Sequence, residues 1–280
     1  MYLDYWSLQR HPFEPAPDSR FFFSAASHEH ALATINYAAR DGGEPVLISG
    51  PVGCGKTLLL RALRRRLPAD EFHVAFVPEL GGGQVSLLRR VAYHLAHTVP
   101  ADTASAMDVI VQTMARDERQ PRAVVVMLDD WPAAPGEQTL GELRWLLNLD
   151  VERVRASVLF TCEPAAAQAP WPEWLRQRLL ATVTVEPLPT QQIPEYLAHR
   201  LRAAGHAEGQ LFTPAAAALI AEWSNGVPRL VNRAAHLALQ AGALQLTTDI
   251  EEQTVRRALA RLAAAPVAAE AVPEPVGAQP

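Results

Sequence analysis

A chain of 280 residues, 49% of them hydrophobic, is long enough for one α/β domain plus a smaller one, each with its own core. Its two cysteines, Cys54 and Cys162, show no metal or redox spacing and are too few for a disulfide framework, which fits a reducing cytosol. The net charge of −5 gives no sign of a dominant nucleic-acid surface, and apolar runs such as Val124 to Leu128 are far too short to span a bilayer, so no membrane segment is expected.

The opening, MYLDYWSLQRHPFEPAPDSRFFF, has neither a basic leader nor a long apolar stretch, and its aromatics Tyr2, Tyr5, Trp6, Phe13 and Phe21 to Phe23 read as an arm packed against a core. Residues 28 to 40 read as a helix, with Ala31, Leu32, Ile35 and Ala39 at helical spacing. After the turn signal Asp41-Gly42-Gly43, the run Pro45-Val46-Leu47-Ile48-Ser49 reads as a buried strand. It leads into Gly50-Pro51-Val52-Gly53-Cys54-Gly55-Lys56-Thr57, with Leu58 opening a helix that ends at Pro68.

All 25 basic residues are arginines except Lys56. Arginine ends in a broad planar fork, whereas lysine places a compact ammonium on a thin stem that can enter a tight turn. The spacing G-x-x-x-x-G-K-[ST] is that of a phosphate-binding loop: backbone N–H groups surround phosphate oxygens, the lysine reaches the β- and γ-phosphates, and the threonine hydroxyl meets Mg²⁺. The helix that follows adds unpaired N–H groups and a partial positive charge.

Residues 73 to 78 read as a second strand, followed by a Gly81-Gly82-Gly83 break, an amphipathic helix carrying Leu87, Leu88, Val91 and Leu95, and another helix around Met107 to Met114. Strand alternating with helix is the pattern of a mostly parallel, doubly wound sheet. The most strand-like run, residues 123 to 128, ends in Asp129-Asp130. An apolar strand closing on acidic residues suggests a Walker B element, with Asp129 on the metal and Asp130 preparing the attacking water. ATPases of this type usually carry Glu at the second position; the shorter Asp130 predicts slow hydrolysis unless the backbone compensates. After a helix from Glu137 to Leu149, the strand Ser157 to Phe160 ends in Thr161, which is either a sensor-1 residue or an ordinary strand-terminating polar residue.

From residue 188 only helices follow: Thr190 to Ala203, Thr213 to Trp223, Pro228 to Ala241 and Asp249 to Ala263, with Thr213-Pro214 and Asp249 at N-cap positions. Arg229 falls in a first helical turn, where the macrodipole disfavours a cation. A solvated arginine gains nothing there, whereas one reaching a γ-phosphate in the sensor-2 role accounts for the placement. His94 and His97 lack a third ligand nearby, and Arg64 to Arg66 read as the wet face of their helix. The Pro/Ala-rich end from residue 263 lacks a packable apolar period and is expected to be disordered. Four regions are therefore expected: an arm (1–25), an α/β nucleotide-binding domain (26–187), a helical lid (188–262) and the tail (263–280).

GPVGCGKT, the strand end LDD, Leu140 to Leu149 (LGELRWLLNL), Leu175 to Leu179 (LRQRL) and Gly226 to Asn232 (GVPRLVN) together resemble the AAA+ ATPases of the general secretion pathway protein A type, and the opening is similar to the start of that family. The resemblance runs to about residue 262. It implies a P-loop NTPase fold with a mostly parallel sheet and an all-helical lid, binding of ATP and ADP with Mg²⁺, and homo-oligomerisation as a ring or filament. It also implies work with other protein components of an envelope, secretion or pilus assembly, from the cytoplasmic side. Arg178, with Arg176 second, is by the same resemblance the arginine finger given to a neighbouring subunit; an exposed basic helix face is the alternative. Two departures stand out: Asp130 replaces the family's Glu, and Thr161-Cys162 replaces its Gly-Gln. Two other functions stay open, a transposition-regulator-type ATPase that polymerises on DNA, which the acidic balance disfavours, and a nucleotide-dependent scaffold that barely hydrolyses.

Overall fold

The computed structural model describes residues 2–16, 18–41, 43–78, 86–115, 122–151 and 154–264. The expected glycine break at Gly81 to Gly83 and the tail from residue 265 onward lie outside the described residues. The chain groups into two compact units, Pro15–Gln192 with Ser224–Leu230, and Met1–Glu14 with Ile193–Trp223 and Val231–Pro280.

In the first unit the apolar runs form strands β1 (Val46–Ser49), β2 (Phe72–Val77), β3 (Ala123–Leu128), β4 (Asp150–Val151), β5 (Val154–Cys162) and β6 (Ala181–Thr184). Five of them make a sheet in the order β2-β3-β5-β1-β6, every neighbouring pair parallel, while β4 pairs antiparallel with the start of β5. Parallel strands need crossover connections, and helices supply them on both faces. The helices of this unit are α2 (Ala26–Asp41), α3 (Lys56–Arg66), α4 (Leu87–Ala96), α5 (Thr103–Ala115), α6 (Glu137–Asn148) and the short α7 (Pro164–Ala167) and α8 (Glu173–Arg176). They follow α1 (Tyr2–Tyr5), which belongs to the second unit.

Alternation along β3 shows how the core is divided, since successive strand side chains point to opposite faces. Val125 and Met127 join Leu32 and Ile35 of α2 and Leu59, Leu60 and Leu63 of α3. Val124, Val126 and Leu128 join Leu88 and Val91 of α4, Ile110 of α5 and Leu143 of α6. With both faces covered, the strand reads as an unbroken apolar run. The register places Val77 beside Leu128, Leu128 beside Phe160, and Ser49 beside both Cys162 and Thr184. The loop after β1, the residues after β3 and the end of β5 therefore share the carboxyl edge of the sheet, where open α/β folds place their ligands.

The second unit is helical: α1, α9 (Ile193–Ala203), α10 (Pro214–Ser224), α11 (Pro228–Gln245) and α12 (Glu252–Ala264), the end of α10 and first turn of α11 grouping with the α/β unit. The first residues of the chain belong to it. Trp6 Nε1 donates to Leu239 O over 3.0 Å, the Gln9 amide to Ala204 O over 2.8 Å, and the buried Arg200 Nε to Pro12 O over 2.5 Å. The arm expected over 1–25 is thus divided, its residues from Pro15 onward grouping with the α/β unit.

Two helix starts differ from expectation. Residues 190 to 192 form a 3₁₀ turn before α9, and α12 begins at Glu252, so Asp249 is not its cap. Ile250 pairs with Phe212 in a parallel bridge, its amide donating to Leu211 O over 2.7 Å. A residue held in extended pairing cannot sit in a first helical turn, so the helix starts later.

Candidate nucleotide site

The loop between β1 and α3 needs its glycines for separate reasons. Gly53 and Gly55 have φ of 85° and 96°, left-handed values that L side chains rarely adopt. Gly50 has a different constraint, because a Cβ there would stand 2.4 Å from Val185 O. Gly55 caps α3 without any side-chain hydrogen bond, so the first N–H groups of that helix are left for an outside acceptor. Lys56 Nζ turns back along the loop and donates to Gly50 O over 2.6 Å and Pro51 O over 3.1 Å. Its ammonium lies among the loop's own backbone groups. Val52 is exposed at the turn, Leu58 half-buried in the first helical turn, and Cys54 fully buried.

Two further elements, the ends of β3 and β5, meet at the loop's helix. Thr57 Oγ1 donates to Asp129 Oδ2 over 2.7 Å. Thr161, fully buried, donates its hydroxyl to Asp129 Oδ1 over 2.5 Å and accepts the Asp130 amide over 2.9 Å. One carboxylate thus holds a hydroxyl from α3 and another from β5, and the second hydroxyl in turn fixes the start of the turn after β3. Asp130 itself has φ of 60°, and it turns the chain away from the strand direction. Thr57, the pair Asp129-Asp130 and Thr161, named from three separate stretches of sequence, are brought together.

Arg229 arrives through backbone contact. Its amide donates to Gly53 O over 3.2 Å, and a Cβ on Gly53 would meet Arg229 Cβ at 2.7 Å. The turn that carries it depends on Gly226, whose φ is 74° and where a Cβ would collide with Leu188 O. Arg178 is not part of this cluster: exposed, it donates to Asn148 Oδ1 over 2.6 Å and to Leu147 O over 3.4 Å at the end of α6. Arg176 pairs with Glu173 of its own helix.

One residue at the loop escapes the sequence pattern. His28, 5% exposed at the start of α2, places Nε2 2.9 Å from Cys54 O. Burial lowers its pKa below the ordinary value. Burial also raises the thiol of Cys54, and pushes that of Cys162 up to about 11, so both stay neutral and unreactive. The available signal was His28's place on the same helical stripe as Ala31, Leu32 and Ile35.

Among the described residues no group of three or more His, Cys, Asp or Glu side chains could hold a metal, and His94 and His97 gain no third ligand. A Thr57 hydroxyl beside the Asp129 carboxylate is instead the sparse donor set that suits Mg²⁺, which keeps most of its waters and takes further ligands from phosphates. Among the described residues no helix is long and apolar enough to cross a membrane.

A parallel sheet whose first strand runs through a glycine loop into a helix, with a carboxylate at the end of β3, one strand removed from β1, on that helix's threonine, defines a P-loop protein of the AAA+ class. Residues 39–169 match the family model described as AAA domain. Over 248 residues, 86% of this chain, the sequence is 31% identical to general secretion pathway protein A of Aeromonas hydrophila, of which it spans 45%. The chain thus carries an AAA domain over residues 39–169 and is similar, over most of its own length, to general secretion pathway protein A. Its fold is also similar to the Aeropyrum pernix ORC2 protein, solved in ADPNP-ADP complexes, at a TM-score of 0.70 and 15% identity over 90% of this chain and 71% of that one. CDC6P from Pyrobaculum aerophilum gives 0.65 and 17% over 89% and 70%. The Thermotoga maritima RuvB branch migration motor gives 0.57 and 18% over 86% and 70%. Likeness at such identities is one of fold.

Proposed function

We propose that the chain binds ATP and ADP with Mg²⁺ and hydrolyses ATP, its nucleotide state controlling self-assembly or a partner complex of the secretion or envelope type. The observation that carries this reading is the closed network of Thr57, Asp129, Thr161 and the Asp130 amide beside the glycine loop and Lys56. Of the regions expected from sequence, 26–187 would hold the nucleotide and 188–262 would supply Arg229. The amides of Gly50 through Leu58, Pro51 lacking one, and the Lys56 ammonium would bind the phosphates, Thr57 and Asp129 the cation. Bound Mg²⁺ would supply charge neutralisation for the triphosphate. Asp130, oriented by Thr161, would hold the attacking water and take its proton; Arg229, and Arg178 of a neighbouring subunit, would balance the charge that develops on the transferred phosphoryl group.

A second reading, a nucleotide switch that hydrolyses slowly, is supported by Asp130, whose shorter side chain stands on a left-handed backbone. Turnover far below the ~1–100 s⁻¹ typical of kinases, in a protein that binds ATP tightly, would select it.

Calorimetric titration of ATP and Mg²⁺ into the native protein and Lys56→Ala tests the main reading. Uptake by the native protein and a loss of about 100-fold or more in the variant are expected, because the ammonium faces a multiply charged tail at short range. A native protein that takes up neither ATP nor ADP, or a variant that binds equally well, overturns it. Light scattering with and without ATP then tests the assembly step.

A further inference from the structure

We infer that His28 is a positioning residue of the phosphate loop, holding the Cys54 carbonyl and thereby setting the direction of the Gly55 N–H for a nucleotide phosphate. The inference rests on the nucleotide-binding reading above.

A carbonyl only accepts, so His28 Nε2, 2.9 Å from Cys54 O, must carry the ring proton. In the neutral ring Nδ1 is then an acceptor, and Ser27 Oγ stands 3.3 Å from it. Burial keeps the ring neutral. Phe22 packs edge-on at 6.2 Å between ring centroids. The tautomer and tilt of the imidazole are thus set by its surroundings.

Helix α3 takes its first backbone bond at Gly55 O, which accepts from the Leu59 amide, so the Cys54 carbonyl lies one residue outside the helix and its hydrogen-bond ladder. His28 supplies its partner. The peptide joining Cys54 to Gly55 is planar and trans, so its C=O and N–H point in opposite directions. A carbonyl held toward His28 forces the Gly55 N–H to point away from His28. Gly55, at φ 96° with no side chain, has little else to restrain it. The ring also lies against this glycine, since a Cβ there would come 3.5 Å from Nε2. The same peptide is therefore restrained on its carbonyl side and presented on its amide side, which lowers the ordering needed when an anion binds.

The test is equilibrium binding of ATP with Mg²⁺ to the native protein, His28→Leu and His28→Gln, with thermal melting of each in the absence of nucleotide. Leucine fills the site without a donor, whereas the glutamine amide nitrogen reaches about where Nε2 stands. His28→Leu is expected to bind ATP on the order of five- to tenfold more weakly, the effect of one lost hydrogen bond, with His28→Gln within about twofold of native. A role in packing alone would lower the melting temperature of the leucine variant and leave affinity unchanged; that result, or equal weakening by leucine and glutamine, overturns the inference. If His28→Leu has no cooperative melt, His28→Asn, whose amide falls one methylene short, takes its place. Weakening by asparagine and not by glutamine then supports the inference, and equal affinity of the two overturns it. Failure of the native protein to bind ATP defeats the nucleotide reading itself, whereas native binding with unaffected variants defeats only the role of His28.

Discussion

Asp130 stands at φ 60°, a left-handed backbone in which asparagine and aspartate are several-fold enriched because their short polar side chains bond locally. Glutamate has no such tolerance. The usual glutamate would therefore meet backbone strain here, and the shorter carboxylate suits the turn that Thr161 pins by accepting the Asp130 amide. Asp130→Asn should keep the fold and the ATP affinity, within about threefold, while phosphate release falls by about 100-fold or more, the scale of a lost general base. Native turnover by Asp130→Asn would remove that residue from the proposed chemistry. Asp130→Glu should gain no turnover and should melt at a lower temperature; a clear gain would show that side-chain reach, not backbone shape, limits the reaction.

Between elements, a buried carboxylate joins two helices. Glu142 of α6 accepts the Leu88 amide near the start of α4 over 3.2 Å and Gln138 Nε2 of its own helix over 2.8 Å. Ser86 caps α4 by accepting the Arg89 amide, so serine and glutamate divide the unpaired donors of one helix end. An anion there also opposes the positive end of the helix. Glu142→Ala should destabilise the protein by about 1–3 kcal/mol, since it leaves the buried Leu88 N–H without a partner, and Glu142→Gln by less because an acceptor remains. The shift in denaturant midpoint measures both. An alanine variant as stable as native would mean that water satisfies the amide.

For the molecule as a whole, three histidines share a direction. His28, His94 and His236 all have pKa values lowered chiefly by burial; Arg64, Arg90 and His97 add to the effect at His94, and His11 adds to it at His236, where Glu14 opposes. In the window below the ordinary value of 6.5 the unfolded chain binds more protons than the folded one. Stability therefore rises with pH through that window and is lost as pH falls from neutrality. Carboxylates held low by hydrogen bonds, Asp18, Asp102 and Glu173, act in the same sense, but only as pH falls through their ordinary values of 3.8 to 4.5. The melting temperature should accordingly begin to drop between about pH 7 and 5, and His28→Gln should flatten that part of the curve. A melting temperature constant over this range would show that the rings ionise freely in the fold.

The phosphate loop was legible because its parts are contiguous: strand, glycine turn, lysine and helix fall within about twenty residues, and local backbone demands select each glycine. Asp129 was legible for a similar reason, an apolar run of both-face burial ending abruptly in acid. Contacts across long stretches of chain were not. Strand β6, four residues with only Val183 buried, carries no strong period and exists because β1 offers it a free edge. Asp249 had the chemistry of a cap, yet Ile250 is taken by Phe212. His28 meets a partner 26 residues away, and the arm's first residues settle on helices near the other end of the chain. A one-dimensional pattern records what each residue requires of its neighbours in sequence, and those requirements define this loop. Which distant group satisfies a buried carbonyl, edge or ring is settled only when packing closes the chain on itself, because that choice depends on shape and on the competing partners within reach.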